Sequence, residues 1–405
     1  MVKKTEYLAR LSAWKEEKVI KVVTGMRRCG KSTLLLQFQE LLKEQGVSNE
    51  QIIYLNFEEL ENESLLHYKA FYDYIKNRLC NNKTTYIFLD EIQNVAHYQK
   101  AIDSLYVKEH TDIYITGSNS YLLSGELATL LTGRYIEIPM LPLSFREYCE
   151  LSRSQGDAAF AEYMRYGGLP YLAAMDKTPE KASTYIEGIY NTVILKDIEE
   201  RQMRIENNLN KRKVTDIALL KTIAKYLAGM VGSQVSVKSV TDYIRSNLTA
   251  ISPNTVSDYM EALADAFIFY PAERMDVVGK EVLKLNKKWY IVDLGIRNHI
   301  LPRKHYDLGF SLENIVFLEL LRRNYHVNIG KTEKGEIDFI AQKDGVFTYF
   351  QVTADLTNEA TFEREITPLK ALKDNYEKII LTLDRYTVGN YDGIKVVNVL
   401  DWLMQ

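Results

Sequence analysis

The chain has 405 residues, 46% hydrophobic and 26% charged, enough for two or three domains with cores of their own. Its formal net charge of −3 gives no overall attraction for nucleic acid, although a local basic face is compatible with that balance. No apolar run reaches the roughly 18 residues of a membrane span. The opening Met1-Val2-Lys3-Lys4-Thr5-Glu6 lacks the apolar core of a signal peptide, and Cys29, Cys80 and Cys149 are too widely separated for a disulfide framework. A cytoplasmic protein with no membrane partner is expected.

In chain order, residues 5–18 read as a short helix, and Val19 to Thr24 as a strand that is nearly all β-branched. A loop from Gly25 to Lys31 follows, then a helix from Ser32 to Gln45 with Leu34, Leu35, Phe38, Leu41 and Leu42 on one side. Further strands are expected at Ile52–Phe57, Tyr86–Leu89 and Ile113–Thr116, alternating with helical stretches. Apolar strands in that alternation predict a parallel sheet covered on both faces. From Leu141 the texture turns helical, broken by Gly167-Gly168-Leu169-Pro170, and residues 206–213 read as a polar linker. A small helical segment spans about 214–265. Its last helix is capped by Ser252 and Pro253 and buries Val256, Met260 and Leu263. A strand at Phe267–Tyr270 comes next, and three helices followed by a strand suggest a winged helix. A final α/β segment begins near 296.

Gly25-Met26-Arg27-Arg28-Cys29-Gly30-Lys31-Ser32 fits the P-loop pattern between a strand and an amphipathic helix, where the chemistry needs it. The glycines let backbone N–H groups face phosphates, and the helix N-terminus adds partial positive charge. Lys31 is expected on the β- and γ-phosphates of ATP, Ser32 on Mg2+, and Thr33 beside it. A second part of the site is read at Leu89-Asp90-Glu91, where an apolar strand ends in two carboxylates. Asp90 is assigned to Mg2+ and Glu91 to polarising the attacking water. Ser118 or Asn119, after the fourth strand, senses the γ-phosphate or belongs to an ordinary polar loop. Arg134 reads either as a charge-stabilising residue for a neighbouring subunit's ATP or as a structural ion pair. Cys29 lies by helix dipoles and Arg28, fields that favour a thiolate; the competing reading is an inert small residue chosen for space.

These residues, with Thr116-Gly117-Ser118-Asn119, Thr132-Gly133-Arg134 and Leu143-Ser144-Phe145-Arg146-Glu147-Tyr148, resemble a family of bacterial and archaeal AAA-type ATPases. Its members carry a C-terminal domain of unknown function. Tyr166-Gly167-Gly168-Leu169-Pro170 and the stretch Lys287 to Gly295 match places that family repeats, so the resemblance covers nearly the whole chain. It implies an α/β fold: a P-loop ATPase core at 1–140, a helical lid at 141–210, a winged-helix-like unit at 211–295 and a restriction-endonuclease-like α/β domain at 296–405.

A nuclease of that type needs a helix Glu, a strand Asp and then Glu-x-Lys on the next strand. Glu313, on a helix from Ser311 to Arg323, and Asp338, after Gly335, supply the first two. Gln351 stands where the Glu is expected and Thr353 where the Lys is expected, so the segment reads as a retained fold without catalysis unless Lys370 or Lys373 reaches inward. On the winged-helix-like unit, Asn254, Thr255, Asp258 and Glu261 face outward, and two of these are acids. Lys211, Arg212 and Lys213 precede the unit, and Lys238 and Arg245 are scattered within it. Three readings follow in order of preference: an ATP/ADP-driven switch for a protein partner, a DNA-binding ATPase, and an active nuclease. The sequence names no partner and leaves a homo-oligomer open.

Overall fold

A computed structural model describes residues 2–117, 133–192, 216–247, 250–277, 279, 281–301 and 307–405, with backbone alone at 283–285. The chain divides into two compact units, Met1–Leu141 with Asp265–Phe267, and Pro142–Ala264 with Ile268–Gln405.

The first unit is built on a five-stranded sheet of β1 (Ile20–Thr24), β2 (Ile52–Asn56), β3 (Thr85–Asp90), β4 (Thr111–Gly117) and β5 (Tyr135–Pro139), in spatial order β2-β3-β4-β1-β5. Every pairing is parallel, as the near-continuous apolar strands predict. Val22, Leu89 and Ile115 join the cluster on one face, and α3 (Tyr68–Lys76) and α4 (Tyr98–Tyr106) contribute Phe71, Ile75, Ala101 and Ile102 to it. The other face carries Phe88 and Tyr114, stacked at 4.8 Å, with Phe38 packed on Tyr114 at 5.2 Å. Phe38 belongs to α2 (Lys31–Glu44), as the apolar stripe predicts. The first helix, α1 (Thr5–Ala13), ends earlier than the expected residue 18.

The second unit is organised around a nine-stranded mixed sheet, order β13-β14-β12-β11-β10-β9-β7-β8-β6. Its strands are β6 (Gln234–Val235), β7 (Phe269–Asp276), β8 (Glu281–Ile291), β9 (His326–Thr332), β10 (Gly335–Lys343), β11 (Val346–Thr353), β12 (Glu377–Thr382), β13 (Gly389–Tyr391) and β14 (Ile394–Asn398). Parallel pairing of β7 with β9, as in Arg274 opposite Ile329, runs the sheet straight across the boundary expected at 295/296. The helices of 142–192, expected as a lid on the first unit, fold with the second. There Asn298 Nδ2 donates to the carbonyls of Met164 and Arg165 at 3.0 and 2.9 Å. The helix Pro253–Asp265 forms as expected, with the Thr255 N–H donating to Ser252 Oγ at 3.1 Å and Val256, Met260 and Leu263 buried. Lys211, Arg212 and Lys213 lie outside the described residues.

The Tyr166–Pro170 and Lys287–Gly295 stretches meet at Asp293. This carboxylate caps the helix Leu294–Ile300 by accepting from the Ile296 N–H at 3.2 Å, and it also accepts from the Gly168 N–H at 2.7 Å. Burial pushes its pKa up from 3.8 to about 6, against the lowering effect of the Gly168, Ile296 and Gly295 N–H groups. The folded state therefore holds a proton more firmly than the unfolded chain. This contribution to stability is fully present below pH 4 and is lost as pH rises to 6, on the order of 3 kcal/mol in all. Urea unfolding of wild type and Asp293→Asn across that window should show the wild-type advantage shrinking with rising pH. A constant difference between the two would refute the assignment.

Close packing at the same junction selects glycine at 295. A Cβ there would stand 2.2 Å from the Tyr166 carbonyl oxygen, which is backbone and cannot swing away. Gly295→Ala should cost about 1–3 kcal/mol and lower Tm. Gly188→Ala is the control, because that helical glycine has nothing within 4 Å of its would-be Cβ and should be neutral or mildly stabilising.

Candidate nucleotide site

The carboxyl ends of all five strands of the first sheet fall on one edge. Thr24 lies opposite both Gly117 and Pro139, and Asn56 opposite Asp90. β1 enters this edge completely buried and turns into the loop. Gly25 has φ +142°, and a Cβ on it would stand 2.2 Å from the Met140 carbonyl oxygen, so only glycine fits. Arg28 at φ +66° and Gly30 at φ +109° complete the turn. Gly30 is the N-cap of α2 and supplies no side-chain cap, which leaves the N–H groups of Ser32 and Thr33 for an anion. Met26 is fully buried under the loop, Arg28 is exposed, and Arg27 pairs with Glu58 at 3.4 Å.

Lys31 folds back on its own loop. Its ammonium donates to the carbonyls of Gly25 at 3.0 Å and Met26 at 3.2 Å, and stands 3.7 Å from Glu91 Oε1. Asp90 closes β3 and is completely buried. Its carboxylate accepts from Tyr54 Oη at 3.3 Å and from the Thr116 hydroxyl. Both donors are neutral, so among the described residues no ion pair compensates the Asp90 charge; a hard oxygen-liganded cation suits that environment. Thr116 also accepts from the Glu91 N–H at 3.0 Å and so ties the two acidic residues together. Glu91 is held in the left-handed region at φ 52°, ψ 46°, and its second oxygen accepts from the Gln93 amide. Tyr54, Gln93 and the bonding role of Thr116 are not expected from the sequence alone; of these, Tyr54 and Thr116 lie on β2 and β4, the strands that flank β3.

The structure thus gathers Gly25, Lys31, Ser32, Asp90 and Glu91 at one edge. Ser118 and Asn119 lie outside the described residues. Arg134 is not on that edge: its carbonyl accepts from the N–H of Ile20, at the far end of β1, and its guanidinium pairs with Asp103 and lies over the Tyr106 ring at 5.3 Å. Cys29 reverses the thiolate expectation. It is fully buried, and burial pushes the thiol above its ordinary pKa despite Lys31 and Lys4 nearby.

In the second unit the nuclease-type positions are also accounted for. Gln351 accepts from the Asp338 N–H at 2.8 Å and donates to Glu365 Oε2 at 2.8 Å. A glutamate at 351 could not make that donation and would face Glu365 as a like charge. Thr353 donates to the Asp355 carbonyl at 3.3 Å. Lys370 does not turn inward: it pairs with Asp392 at 3.4 Å on the surface, and Lys373 is exposed. Glu313 and Asp338 instead converge on Lys288, to which nothing in the sequence pattern assigns a role.

Comparison with known proteins locates these features. The AAA domain family matches residues 17–149, and a domain of unknown function (DUF8612) matches residues 157–307. An uncharacterised protein of Haemophilus influenzae is 40% identical over all of this chain and 99% of its own length. One from Methanocaldococcus jannaschii is 29% identical over 93% of this chain and 84% of its own. Among solved structures, a Walker-type ATPase of Pyrococcus abyssi aligns with a TM-score of 0.49 and 15% identity, over 74% of this chain and 96% of that one. No described helix is long and apolar enough to cross a membrane.

Proposed function

This chain belongs to the same family as its Haemophilus influenzae relative and carries an AAA domain at residues 17–149, and from that premise we propose that it is a magnesium-dependent ATPase acting as a nucleotide-driven switch. The observation that carries the reading is the meeting of Lys31, Asp90 and Glu91 at one sheet edge, beside an uncapped helix N-terminus. Ser32 and Asp90 would hold magnesium, which neutralises phosphate charge when bound. Lys31 exchanges the Gly25 and Met26 carbonyls for phosphate oxygens, a charge-assisted and therefore stronger set of bonds. That exchange frees Glu91 from its cation, and its carboxylate then accepts the proton of an attacking water. Thr116 keeps Asp90 and Glu91 in fixed relation throughout.

We read the second unit as the part that meets a protein partner. On this reading the helices Ile217–Gly229, Val237–Asn247 and Pro253–Asp265, with β6, β7 and β8, are a winged-helix-like unit and the sheet beyond it is a nuclease-like scaffold without cutting chemistry; three helices followed by strands support the first. The outer positions Asn254 and Glu261 are exposed and bring no positive charge, which favours a protein partner over DNA. Arg134 is read as a structural ion pair. Phosphate release from ATP by the full-length protein tests the enzyme assignment: magnesium-dependent turnover is expected. Tight nucleotide binding with no turnover would reject the switch, and strong salt-dependent DNA binding would favour the DNA-acting reading.

A further inference from the structure

Three carboxylates in the second unit surround one ammonium. Lys288, on β8, places Nζ 3.0 Å from Glu313 Oε1, 2.6 Å from Glu336 Oε1 and 4.0 Å from Asp338 Oδ1, and the residue is only 4% exposed. The surrounding groups hold the carboxylates in place. Tyr290 Oη donates to the same Glu313 oxygen at 2.7 Å, and Gln234 Nε2 donates to the other Glu336 oxygen at 2.9 Å. The second Asp338 oxygen accepts from the Val352 N–H at 2.8 Å. The register of β10 against β9 breaks between Ile337 and Ile340, the kind of irregularity that re-aims a side chain, and Asp338 lies inside the break.

The charge balance explains why the cluster is tolerated. Burial alone pulls the Lys288 pKa down, but Glu313, Asp338 and Glu336 outweigh it and hold the ammonium above its ordinary value. Burial raises Glu313 and Asp338, and Lys288 opposes that rise in both. Without a cation, three acids gathered at a largely buried point would be strongly unfavourable. A set of oxygens like this is what a divalent ion takes as ligands, and a nuclease-like scaffold would be expected to use one there. Yet the ammonium already stands between them, within hydrogen-bond reach of Glu313 and Glu336 and 4.0 Å from Asp338, and with it in place no group of three or more His, Cys, Asp or Glu among the described residues is arranged to hold a metal ion.

We infer that Lys288 is a built-in counterion standing in the cation position of the Glu313–Glu336–Asp338 cluster, so that the cluster binds no divalent metal and instead clamps β8 to β10 and to the helix Leu308–Arg322. The inference gives a role to Lys288, on β8. It does not depend on the ATPase reading, because it concerns a different unit and a different measurement.

The test titrates Mn2+ into the full-length, nucleotide-free protein, followed by electron paramagnetic resonance and by Tm. Wild type, Asp338→Asn, Lys288→Ala and the double variant are compared; any weak Mn2+ at the P-loop is common to all four and cancels. Wild type and Asp338→Asn should bind Mn2+ alike. Lys288→Ala should gain a bound Mn2+ that raises its Tm, and the double variant should lose it. A wild-type Mn2+ site that disappears in Asp338→Asn overturns the inference, as does a folded Lys288→Ala that gains no site. Should Lys288→Ala fold poorly, Lys288→Gln removes the same charge with a side chain that still fills space, and carries the same expectation.

Discussion

ATP affinity should fall on the order of 100-fold or more in Lys31→Ala, because the variant loses charge-assisted bonds to phosphate worth about 1.5–3 kcal/mol each. The lysine is buried yet builds none of the apolar core. Its partners are the loop carbonyls of Gly25 and Met26 and, at 3.7 Å, Glu91. Circular dichroism should therefore remain that of wild type while titration shows the loss. A local penalty is also expected, since Glu91 is left mostly buried without its cation. Unchanged affinity in a folded variant would remove the nucleotide site from this loop.

Glu91→Gln separates binding from chemistry. Glutamine keeps the length of the side chain and can still accept from the Gln93 amide, and its backbone meets the same left-handed strain as glutamate. It cannot take a proton from water. Turnover should drop about 10²–10⁴-fold, the range of a lost general base, with ATP affinity retained or improved. Single-turnover phosphate release beside equilibrium binding makes the distinction. Normal turnover would transfer the water-activating role to another carboxylate, and Asp90 would be the first to examine.

The candidate nucleotide site is legible in the sequence because its determinants are local. Gly25 and Gly30 are required by backbone angles over six residues, and Lys31 and Ser32 follow them directly into a helix whose apolar spacing is visible by itself. Asp90 and Glu91 were placed by a run of buried β-branched and aromatic residues that can only be an interior strand. The chain from 20 to 117 therefore announces both its parallel sheet and the edge that carries the candidate site. The side of the sheet that Arg134 occupies was not announced. It depends on the pairing of β5 with β1, which sets Tyr135 opposite Ile20 and so takes Arg134 to the far edge.

The second unit shows the opposite balance. The resemblance singles out Glu313, Asp338, Gln351 and Thr353, and each lies on the helix or strand expected for it. Only the tertiary structure could put Lys288 among the acids, since its β8 position reaches them through a sheet that joins strands far apart in the chain. The same holds for Asp293 and Gly168, whose bond connects two loops with no shared periodicity, and for Cys29, where burial outweighs the local fields that favoured a thiolate. Backbone conformation and apolar period are properties of a short segment and are written in it. Ion pairing and desolvation depend on which segments become neighbours, and in this protein sheet register and packing decided that.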